Sequence, residues 1–271
     1  MTLVVLTGAT RGIGQAAAVA LGQQGVDLAL VGREPERVAA VAEEAGSAGA
    51  ASVVQYVADL TLMSEVRALA AQLRERHPKI DVLANNAGAV FASRETTSEG
   101  LERTFALNHL APFLLTELLR DRLGGGSVIT TASTAHKAGK LDLDDLQSEH
   151  DYSAMRVYGT SKLCNIMFTR ELARRAPELR ANCFHPGVVR TGFGKNEGGL
   201  MKLALSIAGP FLRSPAAGAR SLVWLATDPA SAALDGDYVV DEKVVTPSAQ
   251  ACDDVLAAGL WEKSEALVAG L

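Results

Sequence analysis

Tyr158 and Lys162 stand four residues apart in Tyr158-Gly159-Thr160-Ser161-Lys162. They open a segment in which Cys164, Phe168 and Leu172 recur at steps of four, the stripe of a buried helix. That spacing stacks the two side chains one turn apart on one helical face. A phenol, which ordinarily ionises near ~10, is a poor acid–base group at neutral pH, and a cation within a few ångströms lowers it towards the working range. The spacing alone is cheap: Tyr152 and Arg156 repeat it, and a surface tyrosine beside a solvated lysine would look the same. Two further polar residues stand out. Ser133 follows the apolar run Val128-Ile129-Thr130-Thr131 and is expected at the carboxyl edge of a sheet. Asn108 lies inside the helical stretch 98–122, where asparagine has poor propensity, so a packing or water-binding role is expected of it.

A second cluster is Thr7-Gly8-Ala9-Thr10-Arg11-Gly12-Ile13-Gly14, between an apolar run and an Ala-rich helix. Its glycines permit a tight turn, close backbone approach to a ligand, and close packing of helix on sheet. The helix start offers free N–H groups and a positive dipole end to a pyrophosphate, although a purely structural turn could use the same residues. The spacing Gly-x-x-x-Gly-x-Gly differs from the Gly-x-Gly-x-x-Gly of the usual dinucleotide fingerprint.

These residues need a scaffold, and the rest of the chain supplies its pattern. Short Val- and Leu-rich runs near 3–7, 27–32, 52–57, 80–84, 126–131, 180–184 and 237–240 read as strands. Helical segments lie near 12–24, 35–46, 62–76, 98–122, 155–175 and 215–227. Strands apolar on both faces need cover on both, so the fold class expected is α/β, a doubly wound parallel sheet in a three-layer α/β/α sandwich. With 271 residues, 48% of them hydrophobic, and no Pro-, Ser- or Gly-rich linker, residues 1–271 read as a single domain. The excursions 134–154 and 188–214 break the β–α rhythm and are the expected substrate walls.

Composition excludes several function classes. Twenty-six basic against thirty-one acidic residues leave no global attraction for nucleic acid. Cys164, Cys183 and Cys252 are widely spaced and the five histidines show no ligand spacing, so neither a disulfide framework nor a metal site is expected, and a reducing cytoplasm is. The apolar start reads as a buried first strand, and the stretch 198–212, with Lys202 and Pro210, is too short for a membrane span.

The glycine turn, Asp59, Asn85-Asn86-Ala87-Gly88, Ser133, Tyr158 with Lys162, and His185-Pro186-Gly187 occur in the order of the motifs of the short-chain dehydrogenase/reductase family, and the chain resembles it over nearly its whole length. The segments Asn108-His109-Leu110, Ala135-His136-Lys137, Leu141 to Leu146, Ser161 to Ile166, Phe168 to Leu172 and His185 to Thr191 are similar to its retinol dehydrogenase and WW-domain oxidoreductase-like group. The resemblance implies a Rossmann fold and a catalytic tetrad of Asn108, Ser133, Tyr158 and Lys162. In it Tyr158 exchanges the proton, Ser133 bonds the substrate oxygen, Lys162 holds the nicotinamide ribose and lowers the tyrosine, and Asn108 binds a relay water. It also implies cofactor contacts from Gly8, Thr10, Arg11, Gly12, Ile13, Gly14, Arg33, Asp59, Leu60, Asn86, Ala87, Gly88, Tyr158, Lys162, Pro186, Gly187, Val189 and Thr191. Thr130-Thr131-Ala132-Ser133 departs from the family's usual Asn-x-Ser-Ser, which touches strand-end hydrogen bonding rather than the chemistry.

Gly32-Arg33 stands where an NAD enzyme places an acid, and Arg33 with Arg11 could clamp a 2′-phosphate, so NADP(H) is preferred and NAD(H) is the alternative. Glu34 could instead neutralise Arg33. The expected partner is a small-molecule substrate, a hydrophobic carbonyl or alcohol, with no nucleic-acid partner and no membrane span. Residues 199–208 read either as an apolar lid or as an interfacial helix. The family suggests a homo-oligomer built on the helices near 98–122 and 155–175. A catalytically silent dinucleotide-binding regulator is the alternative from another class.

Overall fold

The apolar runs pair into an eight-stranded sheet in the computed structural model, which describes residues 2–189 and 213–271. The strands are β1 (Leu3–Thr7), β2 (Asp27–Gly32), β3 (Ser52–Val57), β4 (Val82–Asn85), β5 (Ser127–Thr131), β6 (Arg180–His185), β7 (Tyr238–Val240) and β8 (Lys243–Val244), in the order β3-β2-β1-β4-β5-β6-β7-β8. All pairings are parallel except that of β7 with β8. The helices are α1 (Gly12–Gly22), α2 (Pro35–Ala48), α3 (Met63–Arg76), α4 (Arg103–Phe105), α5 (Ala111–Leu119), α6 (Ala154–Arg175), α7 (Pro215–Thr227) and α8 (Asp254–Ala269).

Alternation along β1 shows why the strands are apolar throughout. Val4 and Leu6 belong to the core under α1, α2 and α7, with Leu21, Leu28, Phe184 and Leu222, whereas Val5 belongs to the opposite core under α3, α5, α6 and α8, with Leu73, Phe113, Ile166 and Trp261. Each face is covered, so Val4, Val5, Leu6 and Thr7 are buried and Leu3 partly so. The chain builds outward from β1 through β2 to β3, then returns to the other side of β1 at β4. That reversal leaves a crevice beyond the carboxyl ends of β1 and β4, where open α/β sheets bind their ligands.

One expectation is corrected. The helix expected over 98–122 begins only at Arg103, where buried Glu102 accepts from the N–H groups of Thr104 and Phe105 at 2.8 and 2.7 Å. It then passes through a π turn, Ala106–Leu110, before continuing as α5. A π turn inserts an extra residue into the helical ladder, and such insertions concentrate at functional sites; this one carries Asn108. The excursion 134–154 is anchored to the core at several points. It opens with a short 3-10 turn, Thr134–Ala138, and buries Leu141. Leu143 approaches Gly259 of α8 so closely that a Cβ there would lie 2.7 Å from Leu143 Cδ1.

Helix α8 follows the last strand as an additional helix: Asp253 caps it through Leu256 N–H, and Ala257, Leu260, Trp261, Ser264 and Val268 form its buried stripe. Trp261 lies 4.9 Å from Phe113 and 5.9 Å from Phe168 between ring centroids, and the Arg175 guanidinium sits 5.0 Å over its ring. Ser264 Oγ bonds His109 Nε2 at 2.9 Å. The helices nominated for subunit contact, α5 and α6, therefore have their apolar faces covered within the chain. Among the described residues, no helix is long and apolar enough to cross a membrane. The expected lid at 199–208 and Thr191 lie outside the described residues.

Candidate active site

The glycine turn is tied to the far side of the crevice by Thr7, the last residue of β1. Thr7 Oγ1 accepts the N–H groups of Asn86 and Ala87 at 3.0 and 3.1 Å and donates to Ala84 O at 3.3 Å. Asn86 Nδ2 returns donors to Thr7 O at 3.0 Å and Gly8 O at 3.3 Å. Gly8 has φ +65° and sits where a Cβ would be 2.7 Å from Ala87 Cα. A Cβ on Gly14 would be 2.0 Å from Gly8 O. The turn, the start of α1 and the Asn86-Ala87-Gly88 segment are thus in backbone contact, which only glycine allows at these positions. The N-cap residue Arg11 makes no side-chain cap bond, so among the described residues the first-turn N–H groups of α1 are not capped by it.

Gly8, Thr10, Arg11, Gly32, Arg33, Asp59, Leu60 and Ala87 line one cleft of about 550 Å³. Asp59 Oδ1 accepts from Thr61 N and Oγ1 at 3.0 and 2.8 Å, which shapes the turn after β3. Arg11 and Glu34 form an ion pair, and Glu34 also holds Arg37 at 2.7 Å. The expected competitor for Arg33 is therefore engaged with other arginines, and Arg33 has no ion pair among the described residues. Gly187 has φ +82° and packs on Arg213, while Val189 and Ile13 meet over Gly218, whose Cβ would lie 2.6 Å from Val189 Cγ2 and 3.2 Å from Ile13 Cγ1. This packing sets Pro186-Gly187 beside the start of α1.

The four chemistry-bearing residues converge from three elements. Asn108 is fully buried on the π turn; its Oδ1 accepts Ala89 N–H at 2.9 Å, and its Nδ2 donates to Ala89 O at 2.9 Å and Ser161 Oγ at 3.0 Å. Ser133 stands just past β5, its Oγ accepting Ala135 N–H at 3.2 Å and its hydroxyl bonding Tyr158. Lys162 is 3% exposed, donates to Thr131 O at 2.9 Å, and lies 5.6 Å from the centre of the Tyr158 ring. A Cβ at Gly88 would come 3.2 Å from Asn108 Oδ1 and 3.3 Å from Lys162 Nζ, so the Asn86-Ala87-Gly88 turn passes directly over the cluster.

Burial dominates the electrostatics of the pair in the protein alone. Burial raises Tyr158 above the ordinary phenol value, and the Ser133 bond only partly offsets it. Lys162 is itself pulled down to about 8 by burial. In the protein alone the phenol is therefore held protonated rather than tuned toward phenolate. The Thr131 carbonyl, shared by Lys162 and by Asn165 Nδ2 at 3.1 Å, went unremarked in the sequence, as did the role of Thr7. A buried threonine closing an apolar strand is the signal that could have marked Thr7. Among the described residues, no group of three or more His, Cys, Asp or Glu is placed to hold a metal.

Comparison with known proteins agrees with this geometry. The profile of short chain dehydrogenase proteins matches residues 2–199. The "Putative daunorubicin C-13 ketoreductase DnrU" of Streptomyces sp. (strain C5) is 47% identical over 266 residues, spanning 98% of this chain and 92% of the relative. Retinol dehydrogenase 14 of Homo sapiens is 33% identical over 287 residues, spanning 98% and 85%. The Pseudomonas aeruginosa RhlG/NADP active-site complex superposes with a TM-score of 0.71 at 23% identity, covering 89% of this chain and 94% of that one, a likeness that bears on fold alone. With a Rossmann sheet, a glycine turn at its switch point and a profile match over most of its length, the chain belongs to the short-chain dehydrogenase/reductase family of NAD(P)-dependent oxidoreductases.

Proposed function

We propose that this single-domain chain is an NADP(H)-dependent, cytoplasmic reductase of a hydrophobic ketone or aldehyde, running in reverse on the secondary or primary alcohol. The observation that carries this reading is the Ser133–Tyr158–Lys162 arrangement, with a protonated phenol bonded to a serine beside a buried ammonium. The cleft fits a dinucleotide: the glycine turn has no room for a Cβ against Gly8 O or Ala87, and α1 begins with donors that its N-cap residue Arg11 leaves uncapped, suited to a pyrophosphate. Arg33, without a carboxylate partner among the described residues, supports a 2′-phosphate. When bound, the cofactor supplies the hydride.

The chain's own residues do the rest. Ser133, with one lone pair taken by Ala135 N–H, turns its hydroxyl toward Tyr158 and the substrate oxygen. Tyr158 gives its proton to the oxygen that becomes an alcohol, a direction that suits a phenol held protonated. Lys162 has donors beyond the one committed to Thr131 O, which serve a ribose hydroxyl and stabilise the phenolate left behind. Asn108 fixes Ala89 with two bonds, and its Oδ1 keeps a second lone pair for a relay water. The names of the Streptomyces and human relatives, a ketoreductase of daunorubicin and a retinol dehydrogenase, support a large apolar substrate.

The test is NADPH and NADH consumption by the purified protein with daunorubicin, all-trans-retinal and smaller ketones and aldehydes. Carbonyl-dependent oxidation of NADPH in preference to NADH is expected. No oxidation with any carbonyl would instead favour a silent dinucleotide-binding regulator.

A further inference from the structure

Behind Ser133 lies a histidine that the proposed chemistry does not use. His136 is 1% exposed on the 3-10 turn Thr134–Ala138. Its Nδ1 lies 2.7 Å from Ser133 O, and its Nε2 lies 3.1 Å from the main-chain N of Ser248. A carbonyl only accepts and a main-chain N–H only donates, so both ring nitrogens are committed: the hydrogen sits on Nδ1 and the lone pair on Nε2. The ring stands edge-on to Tyr238 at 5.3 Å between centroids and an interplanar angle of 75°. Burial disfavours the charged ring, which keeps Nε2 free to accept.

The placement matters because of what Ser133 does. Ser133 O takes two donors, the His136 main-chain N–H at 3.1 Å and the His136 Nδ1–H at 2.7 Å, both from the same residue. Upstream, Ala132 N–H donates to Phe184 O at 2.8 Å. The serine is thus clamped between the end of β5 and the imidazole, with its Oγ fixed by Ala135 N–H and directed at Tyr158. The far end of the strut is Ser248, in the segment that joins β8 to α8. That same segment reaches the 134–154 excursion through Gln250 Oε1, which accepts Leu141 N–H at 3.4 Å.

We propose that His136 is a positioning residue: as the neutral Nδ1–H tautomer it holds Ser133 in register with Tyr158, and it ties that register to the C-terminal segment at Ser248. The inference rests on Ser133 and Tyr158 acting as the catalytic pair. Asparagine at 136 places an N–H near the position of Nδ1 and keeps the bond to Ser133 O while losing Ser248. Glutamine reaches toward Ser248 and loses the short bond to Ser133, and phenylalanine loses both.

The test compares H136N, H136Q, H136F, S133A and Y158F for kcat and KM with NADPH and all-trans-retinal or daunorubicin, together with NADPH Kd by fluorescence titration and Tm. The expected result is a kcat within about threefold of wild type for H136N and at least tenfold lower for H136Q and H136F, with NADPH Kd within twofold throughout. Tm should fall for both amide variants, so that rescue by asparagine separates positioning from folding. A kcat that follows Tm across the three variants, or that stays at the wild-type value in all of them while S133A loses it, overturns the proposal. Wild-type turnover in S133A and Y158F would remove the catalytic reading beneath it. Nitrogen-15 NMR of the wild-type imidazoles gives an arm independent of turnover: a buried ring protonated on Nδ1 is expected, and a hydrogen on Nε2 of His136 overturns the assignment.

Discussion

Alanine at Gly14 asks the glycine turn for space that it lacks. The added Cβ would lie 2.0 Å from Gly8 O and 2.8 Å from Asn86 Nδ2, whereas ordinary contact begins near 3.4 Å, so the turn and the start of α1 must part by more than an ångström. Gly8 O is itself bonded to Asn86 Nδ2, so the separation also loosens the stitch between β1 and β4. Overpacking of this kind costs about 1–3 kcal/mol, and at this chain length each kcal/mol lowers Tm by roughly 2–4 °C. The larger effect falls on the ligand, because the N–H groups that meet a pyrophosphate move with the turn; losing one charge-assisted hydrogen bond of about 1.5–3 kcal/mol weakens binding by roughly 10- to 100-fold. The assay is a fluorescence titration with NADPH beside a thermal melt. Gly46 in α2 is the matched control, since a Cβ there meets nothing within 4 Å. G46A should keep the wild-type Kd and gain about 0.5–1 kcal/mol of helix stability. If G14A binds NADPH within twofold of wild type, the close approach has no bearing on the cofactor and the reasoning fails.

Three further outcomes follow from the same geometry. Arg33→Asp should raise KM for NADPH far more than for NADH, and equal losses in steady-state kinetics with both would remove Arg33 from the 2′-phosphate site. Lys162→Met should abolish turnover yet stabilise the protein at pH 7 by up to about 3 kcal/mol. In wild type the folded lysine releases its proton near 8 and the unfolded one near 10.5, so stability rises with pH across that window as the unfolded chain holds the extra proton. Chemical denaturation of K162M should lack this rise, and a parallel pH dependence in both proteins would contradict the burial penalty. Trp261→Ala should cost about 3–5 kcal/mol in urea unfolding; a loss under about 1 kcal/mol would deny α8 its role as cover for α5 and α6.

The sheet was legible because a strand buried on both faces carries apolar residues without alternation, as Val4, Val5 and Leu6 do. The site was legible where its chemistry needs a fixed spacing: Tyr158 and Lys162 on one helix, and Gly8, Gly12 and Gly14 on one turn. Contacts distant in sequence were not. Nothing local reveals that Ser248 meets His136, or that Glu34 takes Arg11 and Arg37 and leaves Arg33 without an ion-pair partner among the described residues. The π turn at Ala106–Leu110 was hidden because an extra residue in the ladder leaves the surrounding apolar periodicity nearly unchanged. Helix α8 carries a stripe from Ala257 to Val268 that is legible in itself, but it stands after the last strand, where the β–α alternation demands no further helix. The direction of the Tyr158 shift was beyond spacing altogether, since it depends on whether burial or a neighbouring charge dominates, and here burial does.

The central claim is that Tyr158 is the proton donor of a carbonyl reductase. Its most direct test is a single-turnover measurement on Tyr158→Phe, which removes one hydroxyl and keeps the ring, with NADPH and a carbonyl that the wild-type protein reduces. Turnover slowed by roughly 10²- to 10⁴-fold, with NADPH binding within twofold of wild type, is the predicted result. A rate close to that of wild type would contradict it.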